Sequence, residues 1–185
     1  MSNIILVTGG ARSGKSSFAE YICKKQNNKT AYIATSVAFD DEMKNRVKKH
    51  QESRPKNWKT YEIYKNIYSI VEELDKNYDT VIMDCVTLMV NNLMFSYNIE
   101  IDQATLEELN ELEDYIRDQI TKLLEAVKKT NLYFVIVSNE IGMGIVPENK
   151  LSRIYGDFVG RANQLIGKYS DEAYFVVSGI PMKVK

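Results

Sequence analysis

Three groups of residues have types and spacings that can do chemistry. The first is Ile4-Ile5-Leu6-Val7-Thr8-Gly9-Gly10-Ala11-Arg12-Ser13-Gly14-Lys15-Ser16, an apolar run that leads into a Gly-x-x-x-x-Gly-Lys-Ser string. Gly9, Gly10 and Gly14 permit the dihedrals that turn successive backbone N–H groups toward a polyphosphate. A helix starting near Lys15 adds its own free N–H groups and the positive end of its dipole. Lys15 can reach the β and γ phosphates, and the Ser16 hydroxyl can ligate Mg²⁺. The strand signal before the string, and the helical Phe18-Ala19-Glu20-Tyr21-Ile22-Cys23 after it, favour a triphosphate cradle over an ordinary glycine-rich βα turn.

The second group is Asp84, at the end of the apolar run Tyr78-Asp79-Thr80-Val81-Ile82-Met83. A carboxylate there can organise Mg²⁺ beside a bound nucleotide, or it can cap the next helix. The third is His50, the only histidine in the chain, set among Arg46, Lys48, Lys49 and Arg54. Met43, Val47 and His50 share one helical stripe, so the ring continues an apolar face. Neighbouring cations disfavour imidazolium and favour a neutral, nucleophilic ring. They can also neutralise phosphate charge in a transition state. A half-buried structural histidine and a nucleophile that attacks phosphorus are both open readings. A further loop, Ser138-Asn139-Glu140-Ile141-Gly142-Met143-Gly144-Ile145-Val146-Pro147-Glu148, follows a strand end, where binding loops gather.

The elements that must hold these groups can be read from periodicity. Residues 30–35 and 133–138 are strand signals, 58–63 an extended piece and 67–74 a short helix. Asp40 resembles the N-cap of the helix that carries His50, which Pro55 would end. Leu88, Met89, Val90, Leu93, Met94 and Phe95 describe a helix apolar on much of its surface, buried or facing a partner subunit or an apolar ligand. A long helix is expected from Leu106 to Val127. Pro147 stands at a possible helix start, with the last helix over 149–166 and a closing strand over 173–177. Strands alternating with helices imply one α/β domain over 1–185, with a mainly parallel sheet covered on both faces. Its ligand should then sit at the carboxyl ends of the strands.

Composition narrows the classes. The chain has 185 residues, 44% of them hydrophobic, and 24 basic against 25 acidic side chains, for a net charge of −1. No global field favours nucleic acid or a membrane surface. Neither cysteine, Cys23 or Cys85, belongs to a Cys-x-x-Cys or Cys/His cluster, which suggests reduced, buried thiols. No apolar run reaches membrane-spanning length, and the first residues run straight into a strand rather than a signal peptide. A cytoplasmic protein without stable membrane insertion is expected.

Taken in order along nearly the whole chain, several strings together resemble one family. They are Gly9-Gly10-Ala11-Arg12-Ser13-Gly14-Lys15-Ser16, Tyr32-Ile33-Ala34-Thr35, Asp41-Glu42-Met43 with His50 and Arg54-Pro55, and Asp84-Cys85-Val86-Thr87-Leu88. Asn139-Glu140-Ile141-Gly142-Met143-Gly144-Ile145-Val146-Pro147-Glu148 and Val177-Ser178-Gly179-Ile180-Pro181 complete the set. The family is the bifunctional adenosylcobinamide kinase / adenosylcobinamide-phosphate guanylyltransferase of vitamin B12 biosynthesis. The resemblance implies a P-loop NTPase-like, RecA-like α/β fold. It implies phosphorylation of adenosylcobinamide by ATP or GTP, then GMP transfer from GTP onto adenosylcobinamide phosphate through a GMP-histidine, with Mg²⁺. It implies His50 and Lys15 as catalytic residues, Ser16 and Asp84 as metal ligands, and a homotrimer. Nucleotide contacts are implied at Gly9, Gly10, Ala11, Arg12, Ser13, Gly14, Lys15 and Ser16, at Ala34, Thr35 and Ser36, at Gln51, Glu52, Ser53 and Arg54, and at Glu62 and Asp84. A plain metabolite kinase would not need His50. A GTPase-type switch would carry an Asn-Lys-x-Asp motif and an Asp-x-x-Gly after the Asp84 strand, and neither is present. A relative keeping one of the two activities remains an open reading.

Overall fold

The structure is a computed structural model, and it describes residues 2–36 and 55–185. The helix expected to carry His50, and with it Gln51, Glu52, Ser53 and Arg54, lies outside the described residues.

Seven strands form one sheet in the order β3-β2-β4-β5-β1-β6-β7. They are β1 (Asn3–Gly9), β2 (Thr30–Ala34), β3 (Lys59–Glu62), β4 (Thr80–Asp84), β5 (Tyr133–Asn139), β6 (Glu172–Val177) and β7 (Ile180–Lys183). Every pairing is parallel except β6 with β7. The helices are α1 (Lys15–Lys25), α2 (Val71–Asn77), α3 (Val86–Ser96), α4 (Leu106–Lys128) and α5 (Lys150–Tyr169), with a 3₁₀ turn over Ile67–Ile70 before α2. This is the P-loop NTPase-like α/β arrangement that the sequence implies.

Alternation along the strands makes two cores. Ile4, Leu6, Ala31, Ile33, Val81, Met83, Phe134 and Ile136 face α2, α3, α4 and α5. Ile5, Val7, Tyr32, Ile82, Val135 and Val137 face α1 with its Ala19 and Cys23. Strands buried on both faces have to read as continuous apolar runs, which is why they were visible in the sequence. The α4 helix starts in a capping box: Thr105 and Glu108 each satisfy the other's backbone N–H.

Of the readings open for α3, burial is the one found: Val86, Met89, Val90, Leu93 and Met94 lie in the chain's own core, and of its apolar residues only Phe95 is largely exposed. Two expectations need correction. Pro147 does not start the last helix, because Asn149 caps it by accepting from the Ser152 N–H, and the helix begins at Lys150. The closing element is not one strand but a hairpin, since β7 folds back antiparallel on β6 through Ser178 and Gly179. Both turn residues have positive φ (50° and 82°), as a type I′ hairpin requires.

Candidate active site

The carboxyl ends of the parallel strands form one edge of the molecule. It carries Gly9 of β1, Ala34 of β2, Glu62 of β3, Asp84 of β4 and Asn139 of β5. The strand order puts β5 between β1 and β4, so two strand spacings, about 10 Å, separate the Gly9 and Asp84 strands. Ala34 and Glu62 are one and two strands farther out, beyond Asp84.

Residues 9–16 pass from β1 into α1 as a closed loop. The Ser13 N–H donates to the Gly10 carbonyl (3.2 Å) and the Phe18 N–H to the Gly14 carbonyl (3.0 Å). Two of its glycines are sterically required. A Cβ on Gly9 would run into the Val176 carbonyl oxygen and lie 2.7 Å from Ser13 Oγ. Gly14 sits at φ 91°, in the left-handed region, and a Cβ there would lie 3.1 Å from Gly179 Cα. The hairpin tip also holds the loop directly, with the Gly179 N–H donating to the Ser13 carbonyl (2.8 Å). We expect Gly9→Ala to lower stability by about 1–3 kcal/mol and weaken nucleotide binding, because the loop must move off β6. A urea midpoint equal to that of the unmodified chain, at unchanged slope, would contradict it.

The α1 N-terminus has no side-chain cap and no acidic residue in its first turn, so its N–H groups and dipole are left for an anion. Lys15 is buried, and its Nζ donates to the Gly10 carbonyl (3.1 Å). Burial pushes its pKa below the usual lysine range, and the nearby Cys85 and Asp84 oppose that shift. Burial therefore makes the ammonium costly, and triphosphate oxygens would restore what burial removes. Ser16 lies in the first turn of α1. At the end of β4, the Tyr32 hydroxyl donates to Asp84 Oδ2 (2.9 Å) and fixes the carboxylate's rotation.

Behind Asp84 the strand ends are tied together by polar groups that the sequence did not reveal. Thr35 Oγ1 donates to the Cys85 carbonyl (2.7 Å) and accepts from the Cys85 N–H (2.8 Å), the Thr35 N–H donates to the Asp84 carbonyl (3.2 Å), and the Thr35 carbonyl accepts from Asn92 Nδ2 (2.7 Å). Thr35 is fully buried, so it braces β2 against β4 rather than offering a free hydroxyl to a nucleotide. The Asp84–Cys85 peptide within this brace is cis. Asn139 Nδ2 donates to Thr87 Oγ1 (2.6 Å), which lies 2.9 Å from Cys85 Sγ, while the Tyr155 hydroxyl donates to the Thr87 carbonyl (3.0 Å). Asn163 Nδ2 in turn donates to the Asn139 carbonyl (3.0 Å). Burial, reinforced by the Asp84 charge, pushes the Cys85 thiol up to about 11. Burial also pushes Cys23 up to about 12. Neither thiol is a nucleophile at neutral pH.

Among the described residues no group of three or more His, Cys, Asp or Glu side chains could hold a metal ion by itself. A single carboxylate and a hydroxyl, Asp84 and Ser16, are nevertheless a donor set of the kind Mg²⁺ takes beside substrate phosphates. Ala34 is buried, Ser36 half-buried and Glu62 exposed at the edge strand, its backbone paired with Ala34. Gly10, Ala11 and Arg12 lie on the outer turn of the loop, with Arg12 at φ 57° and exposed. No described helix is long and apolar enough to cross a membrane.

Known proteins share this arrangement at the level of sequence. The bifunctional adenosylcobalamin biosynthesis protein CobU of Salmonella typhimurium is 41% identical over 182 residues, covering 98% of this chain and 99% of the relative. Its counterpart CobU of Escherichia coli is 40% identical over the same shares of both chains. The bifunctional adenosylcobalamin biosynthesis protein CobP of Pseudomonas aeruginosa is 34% identical over 97% of this chain and 96% of its own length. The family described as cobinamide kinase / cobinamide phosphate guanyltransferase matches residues 5–184, from the first strand to the closing hairpin, and the chain belongs to that family.

Proposed function

We propose that the protein phosphorylates the aminopropanol hydroxyl of adenosylcobinamide with a nucleoside triphosphate, and then transfers GMP from GTP onto that phosphate. The product is adenosylcobinamide-GDP, an intermediate of adenosylcobalamin biosynthesis. The observation that carries this reading is the loop of residues 9–16, closed on an uncapped helix N-terminus with Lys15 at its base, in a chain that matches bifunctional relatives end to end.

In the first reaction the backbone N–H groups of residues 9–16 and the Lys15 ammonium hold the triphosphate and take up charge as the γ-phosphoryl leaves. Ser16 and Asp84 would hold Mg²⁺, which would neutralise phosphate charge there. The acceptor hydroxyl attacks the γ phosphorus, and the nucleoside diphosphate departs. In the second reaction a His50 ring nitrogen attacks the α phosphorus of GTP and pyrophosphate leaves. A phosphate oxygen of adenosylcobinamide phosphate then displaces the histidine. Two displacements let one anion leave before the second arrives. Nucleotide contacts at Ala34, Ser36, Gln51, Glu52, Ser53, Arg54 and Glu62 belong to this reading, as does a single domain carrying both activities. Thr35 would enter through its brace on Asp84 and Cys85. The protein would work as a cytoplasmic homotrimer, assembled through a surface other than α3.

The test supplies purified protein with Mg²⁺, adenosylcobinamide and GTP labelled at either the α or the γ phosphorus. Label from γ is expected on adenosylcobinamide phosphate, and label from α on a second product formed with release of pyrophosphate. Transfer of γ label alone would leave a simple kinase.

A further inference from the structure

We propose that the loop between β5 and α5, residues 140–149, is the platform for the corrinoid ring of the acceptor, with Ile141, Met143, Ile145 and Val146 as its apolar face. The inference rests on the activity proposed above and names the substrate's place within that site. Every residue from 141 to 149 is exposed, and Met143, Ile145 and Val146 are exposed by 78%, 97% and 76%. A cluster of this kind normally marks a surface that something else covers.

The loop is not loose at its ends. The Glu140 N–H donates to the Gly9 carbonyl (3.0 Å), and the Gly142 N–H to Glu140 Oε1 (2.8 Å). At the far end Arg153 donates to the Pro147 carbonyl (3.1 Å) and to that of Glu148, while Asn149 caps α5. The apolar side chains between these anchors are therefore held out rather than drawn into either core. Asn139 is paired with Gly9, so the loop starts one residue beyond the triphosphate cradle, at the edge an acceptor hydroxyl must approach.

Charge selects the occupant. Residues 139–149 include Glu140 and Glu148 and no Lys, Arg or His. Arg153, an α5 cation that touches the loop, is committed to the Pro147 and Glu148 carbonyls. An alkyl corrinoid is a cobalt(III) complex whose ring and alkyl ligand each carry one negative charge, leaving one net positive charge on a broad ring with apolar faces and amide side chains at its rim. That shape and charge suit an apolar loop flanked by carboxylates, and such a ring covers several side chains at once.

The test compares the full-length protein with a Met143→Ser/Ile145→Ser double variant, whose changes lie on exposed positions. With adenosylcobinamide as acceptor, the variant's KM for the corrinoid is expected to rise at least tenfold. Its KM for the nucleotide, its melting temperature and its sedimentation mass should stay as in the parent, and Ile145→Leu should keep the parental corrinoid KM. An unchanged corrinoid KM in the double variant overturns the platform. A fall in sedimentation mass also overturns it, since the face would then join copies of the chain. If the unmodified protein transfers no γ label to adenosylcobinamide, the proposed activity itself fails and the platform falls with it.

Discussion

A Lys15→Ala chain is expected to transfer the γ-phosphoryl group about 10²–10³-fold more slowly than the parent, the scale on which removing one preorganised charge stabiliser acts. The geometry explains why the loss should fall on the transfer step. Lys15 leaves α1 at its first position, is buried, and donates to the Gly10 carbonyl at 3.1 Å inside the loop it serves. Burial works against its ammonium, with Cys85 and Asp84 opposing. The charge is stabilised fully only when triphosphate oxygens arrive, and most when charge builds between γ phosphorus and leaving group. The same argument fixes the sign of a second readout. Removing a desolvated ammonium relieves a cost of folding, so the unfolding midpoint of the ligand-free variant should not fall. Single-turnover transfer from γ-labelled triphosphate, beside a urea titration, checks both. A rate within twofold of the parent would remove the loop from the kinase machinery.

The second large effect belongs to His50. A His50→Ala chain is expected to lose GMP transfer by at least about 10⁴-fold, on the scale of deleting a covalent nucleophile, while still phosphorylating adenosylcobinamide. After incubation with Mg²⁺ and α-labelled GTP, the parent should retain acid-labile, alkali-stable label and the variant should not. The described residues exclude some rivals on physical grounds. Cys23 and Cys85 are buried, with thiols pushed up to about 12 and about 11, and so stay protonated and out of reach. If label persists in His50→Ala, the described residue to test next is Lys15, whose amine is made easier to deprotonate by burial.

What could be read from the chain alone follows a physical divide. The strands were legible because a parallel sheet covered on both faces demands unbroken apolar runs, and the triphosphate loop because its chemistry fixes residue type at successive positions. Cys23 and Cys85 were read as buried thiols, and both are. The end of α4 was legible from its three-to-four spacing. The strand β7 was missed for an equally physical reason. Ile180, Pro181, Met182 and Lys183 are all exposed, and a proline is tolerated there only because the strand sits on the sheet's edge. The reading of α3 stayed open between burial and a partner because an apolar helix with no polar stripe looks the same whether its cover comes from a partner or from α4 and α5. The braces around the site were out of reach altogether. Thr35 meets Cys85, and Asn139 meets Thr87, across about 50 residues of chain, and a local pattern of threonine and asparagine says nothing about such partners. The Ser178-Gly179 pair carried a turn signal, but its second task, holding the triphosphate loop through Ser13, depends on how the two chain ends meet.

The sheet order has a consequence for how the protein comes into being on a ribosome. The strand that bears the triphosphate loop precedes both of its neighbours by a long way in the chain: Asn3 pairs with Tyr133, and Ile5 with Glu172. By contrast, β2, β3 and β4 can pair among themselves as soon as residue 84 has emerged. That strand must therefore wait, apolar and unpaired, until residues 133–175 have emerged, and loop-closure entropy makes the late docking slow. The hairpin that locks Gly14 and Ser13 emerges later still. A nascent chain stalled before residue 172 would hold the whole Gly9–Ser16 sequence and still lack the walls that shape it. In a cell, nucleotide would therefore favour chains that carry the β6–β7 hairpin over chains stalled short of it.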